Sequence, residues 1–370
     1  RDLEHGLELH QHSLVIDSYG FAPYAAVDGD AIKALVEAGG SAAEVDELME
    51  ATRETGAVTR PAEREEVQTA WEASGVTGIV QNAGIESQAP LHLLKRLGYC
   101  TYLVDGWRDL MLRATRPDDI LAAKQQAKRC LYLSGNGVPL AQEWVSLEDE
   151  LRVIRTFFEL GIRMMHLTYN RRNMIGDGCA EPSNAGLSDL GRAVVTEMNR
   201  VGVIVDVAHS GWRTSLEAAP ASIRPMVASH TVACALNEHI RGKPDEVIRA
   251  IVDGGGYVGI CAISRFLGRS GDIVALLDHV DYVAKTFGAA HVAIGTDVAY
   301  VSRNEAAERA KIPPRPRSRP RWESLWPPGS RDAAGYGQPH QQQSLAWTNW
   351  PLFTVGLVQR GYSDADIQQI

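Results

Sequence analysis

Apolar runs rich in Val, Ile and Leu recur at 14–17, 76–81, 130–134, 162–168, 203–209, 225–230, 257–263 and 291–297. Each ends in polar or glycine residues and is followed by a stretch with helical patterning. Continuous rather than alternating apolar runs are what a parallel strand needs when both of its faces are covered. Eight such strand–helix units predict a closed (β/α)8 TIM barrel, an α/β fold with parallel strands inside a ring of helices. A ninth run, 99–104, does not separate strand from buried helix by period alone. It is read as part of a helical segment running from 91 towards 112.

Some helices announce their ends. The segment 187–201 has Ser188 and Asp189 near its start and an apolar face of Leu190, Val194, Val195 and Met198, and Gly202 stops it. Pro244, Asp245 and Glu246 open another helix that leads to Val252, with proline and acids in the first turn. The chain, 1–370, reads as one barrel domain with two departures from the repeat. An acidic helical insertion, 23–70, follows the first strand and is expected over the barrel mouth. A Pro-, Arg- and Trp-rich loop, 312–340, follows the last strand and is expected over or beside the active-site face.

Composition narrows the partners. A net charge of −9 gives no global pull toward nucleic acid or anionic membranes. The basic run Lys311, Arg315, Arg317, Arg319 and Arg321 is therefore read as part of a Pro-stiffened loop. No apolar run approaches the ~18–20 residues that cross a bilayer, so neither nucleic acid nor membrane is expected as a partner. Cys100, Cys130, Cys179, Cys234 and Cys261 are scattered without a CxxC pair, which suits reduced thiols in a cytoplasmic protein. The first residues lack a signal-peptide layout, and the missing initial Met leaves room for further residues or a leader. Tryptophans gathered in 322–350 suggest an apolar lid or a subunit interface.

In barrels of this kind, reactive groups stand at the C-terminal ends of strands. That rule selects His209 after the fifth predicted strand, His230 after the sixth and Asp297 after the eighth. Two imidazoles and a carboxylate suit Zn or Fe. Strand alternation counted back from Tyr169 points His166 toward the helices. His12, His239, His279 and His291 read as packing or hydrogen-bonding residues, and Cys234 and Cys261 have no activating basic neighbour in sequence.

These motifs carry a resemblance. The segment Asn199 to Ser210, with Val205-Asp206-Val207-Ala208-His209, resembles the renal (membrane) dipeptidase family, peptidase family M19 of the amidohydrolase superfamily, at one metal-binding His. Ala228-Ser229-His230-Thr231 resembles the next such segment, and His239-Ile240-Arg241 the family's substrate-binding Arg. His291 to Asp297 is similar to its last metal-binding Asp motif, and Gln359-Arg360-Gly361-Tyr362-Ser363 to its final helical region. The likeness runs from about 14 to 370 and is strongest over 159–297; the family's closing segment after Ile370 is not present.

The resemblance implies two zinc ions held also by a His and an Asp on the first strand and a bridging Glu on the third. This chain has Tyr19, Phe21 and Ser134 at those places, and Tyr169 where a substrate-contacting His is expected. Asp297 is followed by Val298-Ala299-Tyr300 where the family has Phe-Asp-Gly. His209, His230 and Asp297 remain, so one ion is expected in place of two. By the same resemblance Arg241 binds a substrate carboxylate, a task suited to its fork of donors.

Three readings stay open. In the first, the chain is a divergent dipeptidase-like hydrolase with one Zn on His209 and His230, and Asp297 binds the ion or acts as general base. Tyr19 or Tyr169 then hydrogen-bonds the developing oxyanion, and Arg241, Tyr169 and Asn170 contact a small carboxylated amide or dipeptide. In the second, Fe on the same groups supports oxygenase, lyase or isomerase chemistry. In the third, the chain binds no metal and is a non-catalytic binding or partner subunit. A homodimer, or assembly with a paralogue, is compatible with each.

Overall fold

A computed structural model describes residues 1–84, 88–314, 324–328 and 335–370. Ten strands occur among them: β1 (Ile16–Gly20), β2 (Gly78–Asn82), β3 (Met111–Ala114), β4 (Arg129–Gly135), β5 (Met164–His166), β6 (Ile204–Asp206), β7 (Ala228–Ala233), β8 (Gly242–Lys243), β9 (Val258–Ile260) and β10 (Val292–Ile294). All pair in parallel, in two arcs ordered β1-β2-β4-β5-β6 and β10-β9-β7-β8, with β3 an extra strand beside β4. A parallel bridge from Asp206 to Val227 joins the arcs at one seam. At the other, the Asp297 N–H donates to the Tyr19 carbonyl at 3.0 Å. The eight strands other than β3 and β8 overlap the eight apolar runs, and the chain is the expected α/β barrel. The ninth run lies in the helix Pro90–Gly106, as its ambiguous period is best read. The short β3 after it was not foreseen, because four residues carry no usable period.

Capping follows the local sequence. In the helix Asp189–Val201, the Ser188 hydroxyl accepts the Gly191 N–H, and Gly202 closes the last turn at φ +101°. Between β1 and β2 stand the helices Gly29–Glu37, Ala42–Thr59 and Pro61–Ser74. Two buried acids fasten the last of these to the loop leaving β10. Glu63 accepts from Asn304 at 2.8 Å and from the Ala26 N–H at 2.6 Å, while Glu66 accepts from Tyr300 and Arg303. Of the late loop, Ser324 and Trp326 lie against Arg171, whose guanidinium donates to both carbonyls. Arg315, Arg317, Arg319, Arg321 and Trp322 lie outside the described residues. No helix among the described residues is long and apolar enough to cross a membrane.

For Trp347 and Trp350, packing within the chain replaces the reading as a lid or a subunit interface. Trp347 and Trp350 are buried inside this chain, Trp347 edge-on to Trp71 at 5.2 Å. Their burial follows from the C-terminal helix Trp350–Gln359, which returns to pack against the first helix, Asp2–His12. The barrel interior is filled by Tyr19, Val80, Met164 and Val227, with Tyr132, Ile204 and Tyr257 beside them. Gly259 and Gly295 allow the strands to converge there, since a Cβ at either would strike the Ser229 carbonyl oxygen.

The seam between β1 and β10 depends on Asp17, which is fully buried. Its carboxylate accepts the Thr296 N–H at 2.9 Å, the Thr296 hydroxyl at 2.5 Å and the Trp347 indole N–H at 3.2 Å. Burial nevertheless pushes its carboxyl up to about 7 against those donors. The unfolded chain releases this proton near pH 4 and the folded chain near pH 7, so stability falls as pH rises through that window. The loss is at most about 4 kcal/mol. Urea unfolding at pH 5 and pH 8 should show the wild type losing stability where Asp17→Asn stays flat. A wild-type and variant difference that is equal at both pH values would remove Asp17 as the cause.

Candidate functional site

Six residues nominated from sequence meet at the C-terminal end of the barrel. Tyr19 leaves β1 with its ring stacked on His230, centroids 3.9 Å apart, and its hydroxyl donates to Asn136 Oδ1 at 3.2 Å. Tyr169 stacks on His209 at 4.0 Å. The adjacent Asn170 accepts from His209 Nδ1 at 2.7 Å. The Nε2 atoms of His209 and His230 are 2.9 Å apart. Arg241, which is 1% exposed, reaches across to the carbonyls of Ala208 and His230 and sets Nη2 3.3 Å from His209 Nε2. Asp297 joins this group through its backbone, at φ +55° and half-buried.

His166 corrects the alternation argument. It is fully buried inside the barrel, with Nδ1 2.5 Å from Asn136 Oδ1 and Nε2 2.8 Å from Asp206 Oδ2. The error lies in the counting origin. Strand β5 ends at His166, so Met164 and His166 share the inner face, and Tyr169 reaches the site from the loop beyond with no fixed phase. Asp206, His166 and His230 form a compact group of potential metal ligands, their donor atoms within 4.8 Å of one another. Of the three residues nominated as ligands from sequence, His230 belongs to this group, while His209 adjoins it through His230.

Burial sets the electrostatics. His209 and His230 are held well below the ordinary imidazole range, first by burial and then by the charge of Arg241. Both are therefore neutral at pH 7, with lone pairs available to a metal or a proton. Burial works to raise the Asp206 carboxyl, but the neighbouring His166 and the hydrogen bonds from His166, Ser229 and the Ala208 N–H together outweigh it, and the net direction is down. Lys243 is a second buried cation that the sequence reading passed over. Its amine donates to the Ser210 carbonyl at 2.6 Å, and burial brings it down to about 7. Cys261 is raised to about 12 by burial and then by Asp297, so its thiol is inert.

Two buried donors in this site have no hydrogen-bond acceptor: Arg241 Nε and Asn170 Nδ2. Buried donors are rarely left so, and an anionic or carbonyl ligand would satisfy them. Ser134, where the resemblance implies a bridging Glu, spends its hydroxyl on the Gln81 carbonyl at 3.1 Å. Two clefts adjoin the site. One of about 200 Å³ is lined by Asn136, Tyr169 and Arg171, and one of about 350 Å³ by Ser264, Arg265, Val298 and Trp347. Of the residues missed from sequence, Asp206 and Lys243 were signalled only by standing near His209 and Arg241. Asn136 had no signal at all.

Comparison with known proteins places this geometry. The family model for membrane dipeptidase (peptidase family M19) matches residues 5–305. Dipeptidase tcpJ of Claviceps purpurea (strain 20.1) is 30% identical over 200 residues, covering 53% of this chain and 46% of that protein. The chain spans less than half the length of the curated relatives it matches. An amidohydrolase from Pseudomonas aeruginosa superposes with a TM-score of 0.70 at 23% identity, over 99% of this chain and 95% of its own. The probable dipeptidase PvdM from the same organism gives 0.69 at 18% identity, over 100% and 95%. At these identities the two structures support the fold alone.

Proposed function

Because the chain belongs to the membrane dipeptidase family, peptidase family M19, we propose that it is a divergent dipeptidase-like hydrolase. Its substrate is a small amide or dipeptide bearing a free carboxylate, cleaved with one metal ion in place of two. The observation that carries this reading is Arg241. A guanidinium almost wholly removed from water, hydrogen-bonded to carbonyls and an imidazole, leaves a net charge and an orphan Nε at the site. An unpaired buried charge is costly, and a substrate carboxylate is the group whose geometry suits the fork.

The metal-dependent character of the family fits the residues present. Neutral buried imidazoles and one carboxylate are the donors that Zn takes, and His230 would hold the ion whichever neighbours complete the set. Such an ion, when bound, would supply Lewis acidity to the scissile carbonyl and the attacking water. The chain's own groups do the rest. Arg241 and Asn170 orient the carboxylate, Tyr19 or Tyr169 donates to the oxygen that gains charge in the transition state, and Asp297 is the group assigned as general base.

Protein loaded with Zn and offered dipeptides and N-acyl amino acids should cleave members of both sets. The matching C-terminal amides should react with kcat/KM lower by about 100-fold, the worth of roughly two charge-assisted hydrogen bonds. Equal rates on acids and amides would remove the role given to Arg241. No cleavage of any acid would leave a binding function.

A further inference from the structure

We infer that the single metal ion sits deeper in the barrel than the sequence motifs indicate, on His166 Nε2, Asp206 Oδ2 and His230 Nε2, with His209 and Asp297 outside its ligand set. The use of the ion in hydrolysis rests on the reading above; its place does not. All three residues are fully buried, and their donor atoms lie within 4.8 Å of one another. A tetrahedral Zn with bonds of about 2.0 Å needs donors roughly 3.3 Å apart, so the 2.8 Å His166–Asp206 pair would part slightly and His230 would move in to complete the site.

The far side of each ligand is already held. His166 Nδ1 is bonded to Asn136 Oδ1 and His230 Nδ1 to the Ser229 hydroxyl. Asp206 Oδ1 accepts the N–H groups of Ala208 at 2.8 Å and Ser229 at 3.2 Å. Hydrogen bonds of this kind orient metal ligands and fix the imidazole tautomer. His166 Nε2 faces Asp206 Oδ2 2.8 Å away. Neither atom has an aligned hydrogen-bond partner, and both are buried. An imidazole nitrogen and a carboxylate oxygen set side by side in the dry interior are donor types that a divalent cation takes.

His209 is disposed otherwise. Its Nδ1 is taken by Asn170, and its Nε2 lies 2.9 Å from His230 Nε2 and 3.3 Å from the Arg241 guanidinium, so both ring nitrogens already have partners. Asp297 is not part of the compact donor group among the described residues. Two imidazoles and one carboxylate suit a divalent first-row ion, Zn above all.

The test is Zn content by mass spectrometry, with calorimetric Zn titration of wild type, His166→Gln, Asp206→Asn, His209→Ala and Asp297→Asn. Wild type should hold about one Zn per chain. His209→Ala and Asp297→Asn should keep it, whereas His166→Gln and Asp206→Asn should bind at least 100-fold more weakly while retaining their circular dichroism. Should these two fail to fold, Asn136→Ala leaves every ligand in place and should weaken Zn by about 10-fold or more. Zn lost with His209 or Asp297 but kept without His166, unchanged affinity in Asn136→Ala, or no Zn in wild type each overturns the assignment. Zn bound in the expected pattern without any hydrolysis leaves the site standing and removes the hydrolase.

Discussion

Arg241→Met should raise KM for carboxylate-bearing substrates by at least ~100-fold while leaving kcat within a few-fold. The guanidinium is fixed before substrate arrives by the Ala208 and His230 carbonyls, so it contributes binding that is equal in ground and transition states. Loss of such uniform binding appears in KM. Its magnitude follows from two charge-assisted bonds of roughly 1.5–3 kcal/mol each. Arg241→Lys should recover only part of the loss, because an ammonium is a point charge that cannot present a planar fork. Steady-state kinetics on an acid and its C-terminal amide give the decisive comparison. The variant should lose the acid and keep whatever rate the amide had. If both substrates fall together, Arg241 supports the loop structure around His209 instead of the ligand.

Trp347→Ala should cost about 3–5 kcal/mol of folding stability, the range for removing a fully buried tryptophan. Trp347 packs edge-on against Trp71 and donates its indole N–H to Asp17 across a separation of 330 residues. It therefore fills a cavity and supplies a hydrogen bond to a buried carboxyl at the barrel seam. Urea unfolding gives the loss as a lowered midpoint. The double variant with Trp71→Ala should be less destabilised than the sum of the singles, since the rings share one contact. A loss under about 1 kcal/mol would mean that the C-terminal segment contributes little to closure.

The candidate site was half legible. His209 and His230 could be found because a polar residue ending an apolar run is conspicuous, and both stand at the barrel mouth within hydrogen-bond distance of each other. Arg241 and Tyr169 followed from the motif likeness. His166 was misplaced by a parity argument that took Tyr169 as part of the strand, although β5 stops three residues earlier. Asp206 was overlooked because an Asp inside Val205-Asp206-Val207 reads as one polar interruption of a buried strand. Only the approach of His166 from the neighbouring strand shows what that carboxylate faces.

The sequence by itself determined the barrel: eight doubly covered strands, with helices started by residues such as Ser188 and stopped by Gly202. Burial and local dihedral preference act on each residue with little regard to distant ones, so they leave their mark along the chain. Tertiary structure alone decided that Trp347 closes the seam over Asp17, that Lys243 is buried beside Ser210, and that His166, Asp206 and His230 converge. Those are pairings between strands and loops far apart in the chain. A residue's type fixes what it can bond, but closure of the barrel chooses its partner.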